Sequence, residues 1–204
     1  MLVQPDKKND ISIEVLLKNY LKLKYQKQGD AFCGIIHRLD RPVSGVVLCA
    51  KTSKGLVRMN EKFRAREVTK IYWALVKGFP SPDQGKLTHF LHRNERNNTT
   101  KVVEAEKKGV QKAELEYKVV GRSEYYSLLE VIPHTGRHHQ IRVQLAHIKM
   151  PIKGDLKYGS PRSNPDGSIS LHARKLIFVH PVTNEPVEIM APPPKDPLWD
   201  SFLK

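Results

Sequence analysis

Three cations flank a single carboxylate in His37-Arg38-Leu39-Asp40-Arg41-Pro42-Val43-Ser44-Gly45, a Pro/Gly loop that leads into an apolar run. Loops held by a rigid sheet are where reactive groups concentrate. Neighbouring cations favour the ionised form of a carboxylate, so Asp40 reads as a nucleophile or base at neutral pH. The competing reading is an ion pair that braces the loop. In Thr69-Lys70-Ile71-Tyr72-Trp73 a tyrosine that can stack on a base sits near a lysine that can meet phosphate, although such a tyrosine also suits a core. His134-Thr135-Gly136-Arg137-His138-His139-Gln140-Ile141-Arg142 turns at Thr135-Gly136 into a helix, and a helix N-terminus attracts anions. Arg137, His139 and Gln140 add donors there. Arg137 and Arg142 stand on different helix faces, so one can reach phosphate while the other points inward. Alternatively, the cluster is a basic surface patch. Gly154-Asp155 supplies a further carboxylate, read chiefly as a turn brace.

Other chemistries fit poorly. His134 and His138 have a spacing that invites zinc, but Gly136 interrupts the helix, Arg137 repels a cation, and no HExxH pattern exists. No metal site is expected. There is no Walker loop and no GxGxxG, so no cofactor is expected. Ser44 near His37 lacks the GxSxG elbow of a hydrolase. Cys33 and Cys49 form no CxxC pair and read as packing residues in a reducing, cytoplasmic setting.

The elements that must position these groups follow from periodicity. Asp10 is the expected cap of a helix reaching about Lys24, with Ile13, Leu16, Leu17 and Tyr20 on its apolar face. Val46-Val47-Leu48-Cys49-Ala50 reads as a buried strand. Thr52 or Ser53 caps a second helix, whose Leu56, Met59 and Phe63 share a face. Lys70 to Lys77 reads as a strand, and Phe79 to Gly85 as a turn-rich loop. Asn94 to Gly109 is polar, with Arg93, Arg96, Lys101, Lys107 and Lys108 on or beside it, and reads as an exposed hairpin or loop. Ala113, Leu115, Tyr117 and Val119 alternate with charged residues, the signature of a half-buried antiparallel strand. Tyr125 to Ile132 is another strand. His138 to Ile148 is a helix presenting Ile141, Leu145 and Ile148, and strands follow near Ser168–Val179 and Pro186–Met190. Pro192-Pro193-Pro194 ends regular structure. Strands in succession with occasional helices predict an α+β fold with a mixed, mostly antiparallel sheet. With no clear linker, residues 1–204 read as one catalytic domain.

The chain has 204 residues and 35 Lys+Arg against 21 Asp+Glu, a net +14. That excess points to a polyanion such as nucleic acid. Residues 51–110 hold fourteen basic and six acidic side chains, so this third carries +8 of it, as a phosphate-tracking face does. No apolar run is long enough for a spanning helix, and MLVQPDKKND lacks the apolar region of a signal peptide.

Taken in order, these segments resemble the RluA family of RNA pseudouridine synthases. HRLDRPVSG is similar to that family's HRLDxxTSG, with Val43 where Thr is commoner. TKIYWALVKG resembles its K-x-Y motif. TGRHHQIRVQLAHIKMPIKGDLKYG resembles TGRTHQIRVHLAxxGxPIxGDxxYG, with His138 in place of Thr or Ser and Lys149 in place of Gly. Leu171-His172-Ala173, then Phe178, His180 and Pro181, match the family's ending. The resemblance implies that Asp40 is the catalytic aspartate, that Tyr72 stacks on the target uracil, and that Arg142 pairs with Asp40. It also implies that Arg38 pushes toward the RNA, with Arg41 and Lys70 on the phosphate side, and that Arg137, His139 and Gln140 line the RNA-facing wall. The implied partner is ribosomal or transfer RNA. The rival reading is a catalytically silent RNA-binding or RNA-folding module. Relatives usually begin with a KPxG strand ahead of the segment matched by LVQP, and some carry an S4-like domain. The chain begins after that strand and shows no S4-like segment, so a sheet short of one edge strand is expected.

Overall fold

The computed structural model describes residue 3, residues 12–104 and residues 108–203. In chain order the elements are α1 (Ile13–Lys24), β1 (Gly34–Ile35), β2 (Ser44–Gly45), β3 (Cys49–Ala50), α2 (Ser53–Arg64), β4 (Thr69–Lys77) and β5 (Gln84–Asn94). β6 (Thr99–Val103), β7 (Val110–Arg122), β8 (Tyr126–Pro133), α3 (Gln140–His147), a 3-10 turn (Leu156–Tyr158), β9 (Leu171–Val179), β10 (Pro186–Met190) and α4 (Pro197–Asp200) complete them.

The alternating strands assemble into one sheet in the order β10-β9-β4-β8-β7-β5-β6. Its pairings are antiparallel except that β2 joins β9 in parallel, which makes the sheet mixed. Period-two side chains sort its two faces. Ala74, Val76, Leu115, Leu129 and Val131 pack on one face against Ile141 and Leu145 of α3. Leu75 and Leu128 point to the other, under Trp199 of α4. α3, which bears Gln140, Ile141 and Arg142, is therefore packed on this sheet face, and Tyr72 of β4 lies against the same core.

Several expectations change. Asp10 lies outside the described residues, as does Lys107; the cap of α1 is Ser12, whose hydroxyl accepts from Val15 N–H. Leu16 and Tyr20 are exposed, and Leu17 and Leu21 do the packing. The run 46–50 is not one strand. Gly45 pairs with Ala173, the chain then leaves the sheet, and only Cys49–Ala50 pair again, with Gly34–Ile35. Val46 and Leu48 instead fill a second cluster with Met59, Leu176 and Phe178. The Asn94–Gly109 stretch is a hairpin arm as far as Val103, with Thr100 buried. α3 begins at Gln140, because His139 adopts a left-handed backbone (φ 52°). Past the prolines, Asp196 caps the short α4. Among the described residues no helix is long and apolar enough to cross a membrane.

Candidate active site

The sheet brings the ends of three distant segments together. β2's pairing with β9 fixes the loop that carries Asp40, and Ser44 Oγ adds a 2.8 Å contact to His172 Nδ1. His37 Nε2 accepts the Leu48 N–H at 3.0 Å and its ring stacks on Phe63. Burial, with Lys70 adding, pushes His37 down to about 4, so it acts as a neutral acceptor that closes the loop.

Arg142 rises from α3 into this loop, and its side chain is 5% exposed. Nη1 donates to Asp40 Oδ2 at 3.0 Å; Nε and Nη2 donate to the two oxygens of Asp155 at 2.7 and 2.9 Å. Burial works against the charge, but the two carboxylates outweigh it and raise the guanidinium above its ordinary value. Asp155 is 1% exposed. The turn brace is thus also Arg142's second anion. Charge-assisted, forked pairs of this kind fix direction as well as contribute energy.

His139 and Gln140 lie beneath the surface. Gln140 Oε1 accepts from Thr135 Oγ1 and Arg137 N–H, and its Nε2 donates to Glu114 O. That buried amide ties the turn before α3 to β7. His139 Nδ1 lies 2.7 Å from Tyr158 Oη, and Nε2 lies 3.7 Å from Asp40 Oδ2. Burial first, then Arg142, pushes His139 down to about 3. Arg137 stays half-exposed, its Nε donating to Lys112 O.

Two hollows share Asp40. The smaller, about 280 Å³, is lined by Tyr72, Lys70, Ile141 and Leu171 among others. It offers an apolar floor and the rings of Tyr72 and Phe63. Burial, with the Asp40 charge adding, pushes the Tyr72 phenol up to about 12. Burial and then Arg66 lower Lys70. The larger cleft, about 1050 Å³, is lined by Arg38, Arg41, Arg93, Arg137 and Lys157, against the carboxylates Asp40 and Glu95. It suits a polyanionic strand, while the smaller suits a single flat ring. Asp155, Tyr158, Thr100 and Arg93 were not assigned site roles from sequence. Tyr158 had a signal only in the GDLKYG resemblance; Thr100 and Arg93 had none beyond local polarity.

Comparison with known proteins adds an independent line. The family model described as RNA pseudouridylate synthase matches residues 1–147. An uncharacterized RNA pseudouridine synthase of Chlorobaculum parvum is 36% identical over 181 residues, covering 80% of this chain and 55% of that protein. Ribosomal large subunit pseudouridine synthase D of Xanthomonas campestris is 34% identical over 176 residues, covering 80% and 52%. tRNA pseudouridine synthase C of Pasteurella multocida is 35% identical over 173 residues, covering 76% and 71%. The chain spans about half the length of the first two of these. Among solved structures, human RNA pseudouridylate synthase domain containing 4 shares the fold. Its TM-score is 0.81 at 24% identity, covering 100% of this chain and 85% of that one. Human RNA pseudouridylate synthase domain containing 1 gives 0.72 at 26% identity, covering 95% and 80%.

Proposed function

This chain belongs to the RNA pseudouridylate synthase family, and from that premise we propose that it isomerises uridines in structured RNA to pseudouridine, with Asp40 as the catalytic carboxylate. The names of its relatives point to ribosomal or transfer RNA as the substrate. The observation that carries the reading is Asp40 at the mouth common to a ring-sized hollow and a cationic cleft, held by Arg142 at 3.0 Å.

The chemistry asks for this arrangement. The N1–C1′ bond of uridine breaks, the uracil turns, and a C5–C1′ bond forms as the C5 proton leaves. Atoms and electrons balance within the nucleotide and one solvent proton, so no redox partner or cofactor enters. A carboxylate can serve as nucleophile or base in such a cleavage. The target base is unreachable inside a duplex and must be flipped out; single-stranded or looped RNA lowers that cost. The flipped uracil occupies the smaller hollow, with Tyr72 against its face and Ile141 and Leu171 below. The phenol remains neutral across the working pH range, so its ring meets the base without adding a charge. The RNA backbone follows Arg41 and Arg137 along the larger cleft, Lys70 edges the smaller hollow instead, and Arg38 enters the space the base vacates.

The test uses cellular RNA carrying tritium at uridine C5. Wild-type protein should release tritium into water, and Asp40→Asn should abolish release while keeping RNA affinity. Full turnover by Asp40→Asn would remove Asp40 from the chemistry. RNA binding with no release by the wild type would instead support the silent RNA-binding module.

A further inference from the structure

Two threads leave the β5–β6 hairpin and converge on one imidazole. Thr100 N–H donates to Tyr158 Oη at 2.9 Å, and that oxygen lies 2.7 Å from His139 Nδ1. Thr100 Oγ1 is 2.8 Å from His138 Nδ1, and the His138 ring stacks on His139 at 3.7 Å between centroids. The far nitrogen of His139 faces Asp40 Oδ2, the oxygen already held by Arg142.

The proton positions follow from these contacts. A neutral imidazole carries one N–H. A lone pair on Nε2 would be repelled by the carboxylate, so the hydrogen belongs on Nε2. Nδ1 is then an acceptor, and the Tyr158 hydroxyl is its donor. Tyr158 Oη meanwhile accepts from Thr100, so each donor in the chain has one acceptor. The left-handed backbone at His139 (φ 52°) is what swings the ring under the Asp40 loop instead of along α3. The Arg142 guanidinium also lies over the Tyr158 ring, 5.0 Å from its centroid, which keeps both holders of Oδ2 in register.

We propose that His139, kept as its Nε2–H tautomer by the Thr100–Tyr158 chain, is a positioning residue that holds Asp40 Oδ2 together with Arg142 and leaves Oδ1 to meet the substrate. At 3.7 Å the contact is longer than a hydrogen bond and acts as the attraction of the N–H dipole for the carboxylate. The role of Oδ1 rests on the isomerase reading. The tautomer does not.

The experiment has two arms on the full chain. Imidazole ¹⁵N spectra at neutral pH should show a protonated Nε2 and an unprotonated Nδ1 on His139, with the preference lost in Tyr158→Phe. An Nδ1–H or charged ring in the wild type overturns the proposal. In single-turnover tritium release, His139→Leu should be slower by about fivefold, the value of an ordinary polar contact, with RNA affinity near that of the wild type. His139→Gln, whose amide N–H reaches the Nε2 position, should recover most of that loss. Equal rates for the Leu and Gln variants, at wild-type thermal stability, overturn the positioning role. If the wild type releases no tritium, the isomerase reading fails by itself, and the spectra still decide the tautomer.

Discussion

Asp40 and Arg142 stand 102 positions apart in the chain and 3.0 Å apart in the site. What holds them is not the pair alone. Arg142 spends two of its three donating nitrogens on Asp155, so the guanidinium is aimed before Asp40 arrives. Removing Asp155 leaves a buried cation half-paired, and such losses cost about 3 kcal/mol or more. Asp155→Ala should therefore lower the urea midpoint markedly and reduce turnover together; a midpoint equal to the wild type would mean that Arg142 does not depend on it. Arg142→Lys keeps a charge but offers no planar fork to span two carboxylates. It should slow tritium release by about tenfold or more while RNA affinity changes little.

The elements position these residues through a few close approaches. Gly45 has φ 120°, and a Cβ there would lie 2.3 Å from Ala173 O. β2 can lie against β9 only because that Cβ is missing. Gly45→Ala should push the Asp40 loop off the sheet, costing about 2 kcal/mol or more and most of the turnover, as read by denaturation and tritium release. The end of α3 shows the opposite case. Lys149 follows the helix in the left-handed region (φ 65°), with its N–H on Ala146 O and the Met150 N–H on Leu145 O. Glycine suits that position, which accounts for the Gly frequent there in the motif that the chain resembles. Lys149→Gly should raise stability by about 1 kcal/mol, measured as a higher denaturation midpoint, and leave the site geometry alone.

For the whole molecule, charge and burial set the response to solvent. With the +14 excess and the cationic cleft, the RNA binding we propose releases counterions, so affinity should fall linearly on a log–log plot against salt. A flat plot would remove the cleft from RNA binding. Acid acts through the buried histidines. His37 and His139 sit at about 4 and about 3, below their ordinary 6.5. As pH falls below about 6.5, the unfolded chain takes up these protons before the folded one does. Their contribution to stability is complete above that pH and declines toward pH 4 and 3. The thermal midpoint should drop over that window, and less steeply in His139→Gln; parallel curves would show that His139 titrates normally.

Much of this protein was legible in its residues because the signals are local. Alternation at Ala113, Leu115, Tyr117 and Val119 marked β7, Thr52 marked the start of α2, and the cations around Asp40 marked the loop to watch. The mixed, mostly antiparallel sheet followed from strands in succession. Local signals say which face of an element is apolar but not what will cover it. Leu16 and Tyr20 had the right spacing and remained exposed, whereas Trp199, past three prolines, became core. The same limit applied in the site. The sequence by itself determined the reactive types and the cationic surroundings; the split of Arg137 and Arg142 was expected from two faces of one helix, but Arg137 precedes α3 and is turned outward by the loop. Only the tertiary structure decided that Asp155 shares Arg142, that Gln140 is spent inside the turn, and that Tyr158 and Thr100 reach His139. Apart from the short-range bonds of Gln140 to Thr135 and Arg137, those contacts join residues 13 or more positions apart, and their partners exist only once burial has excluded water and left each polar atom to find another.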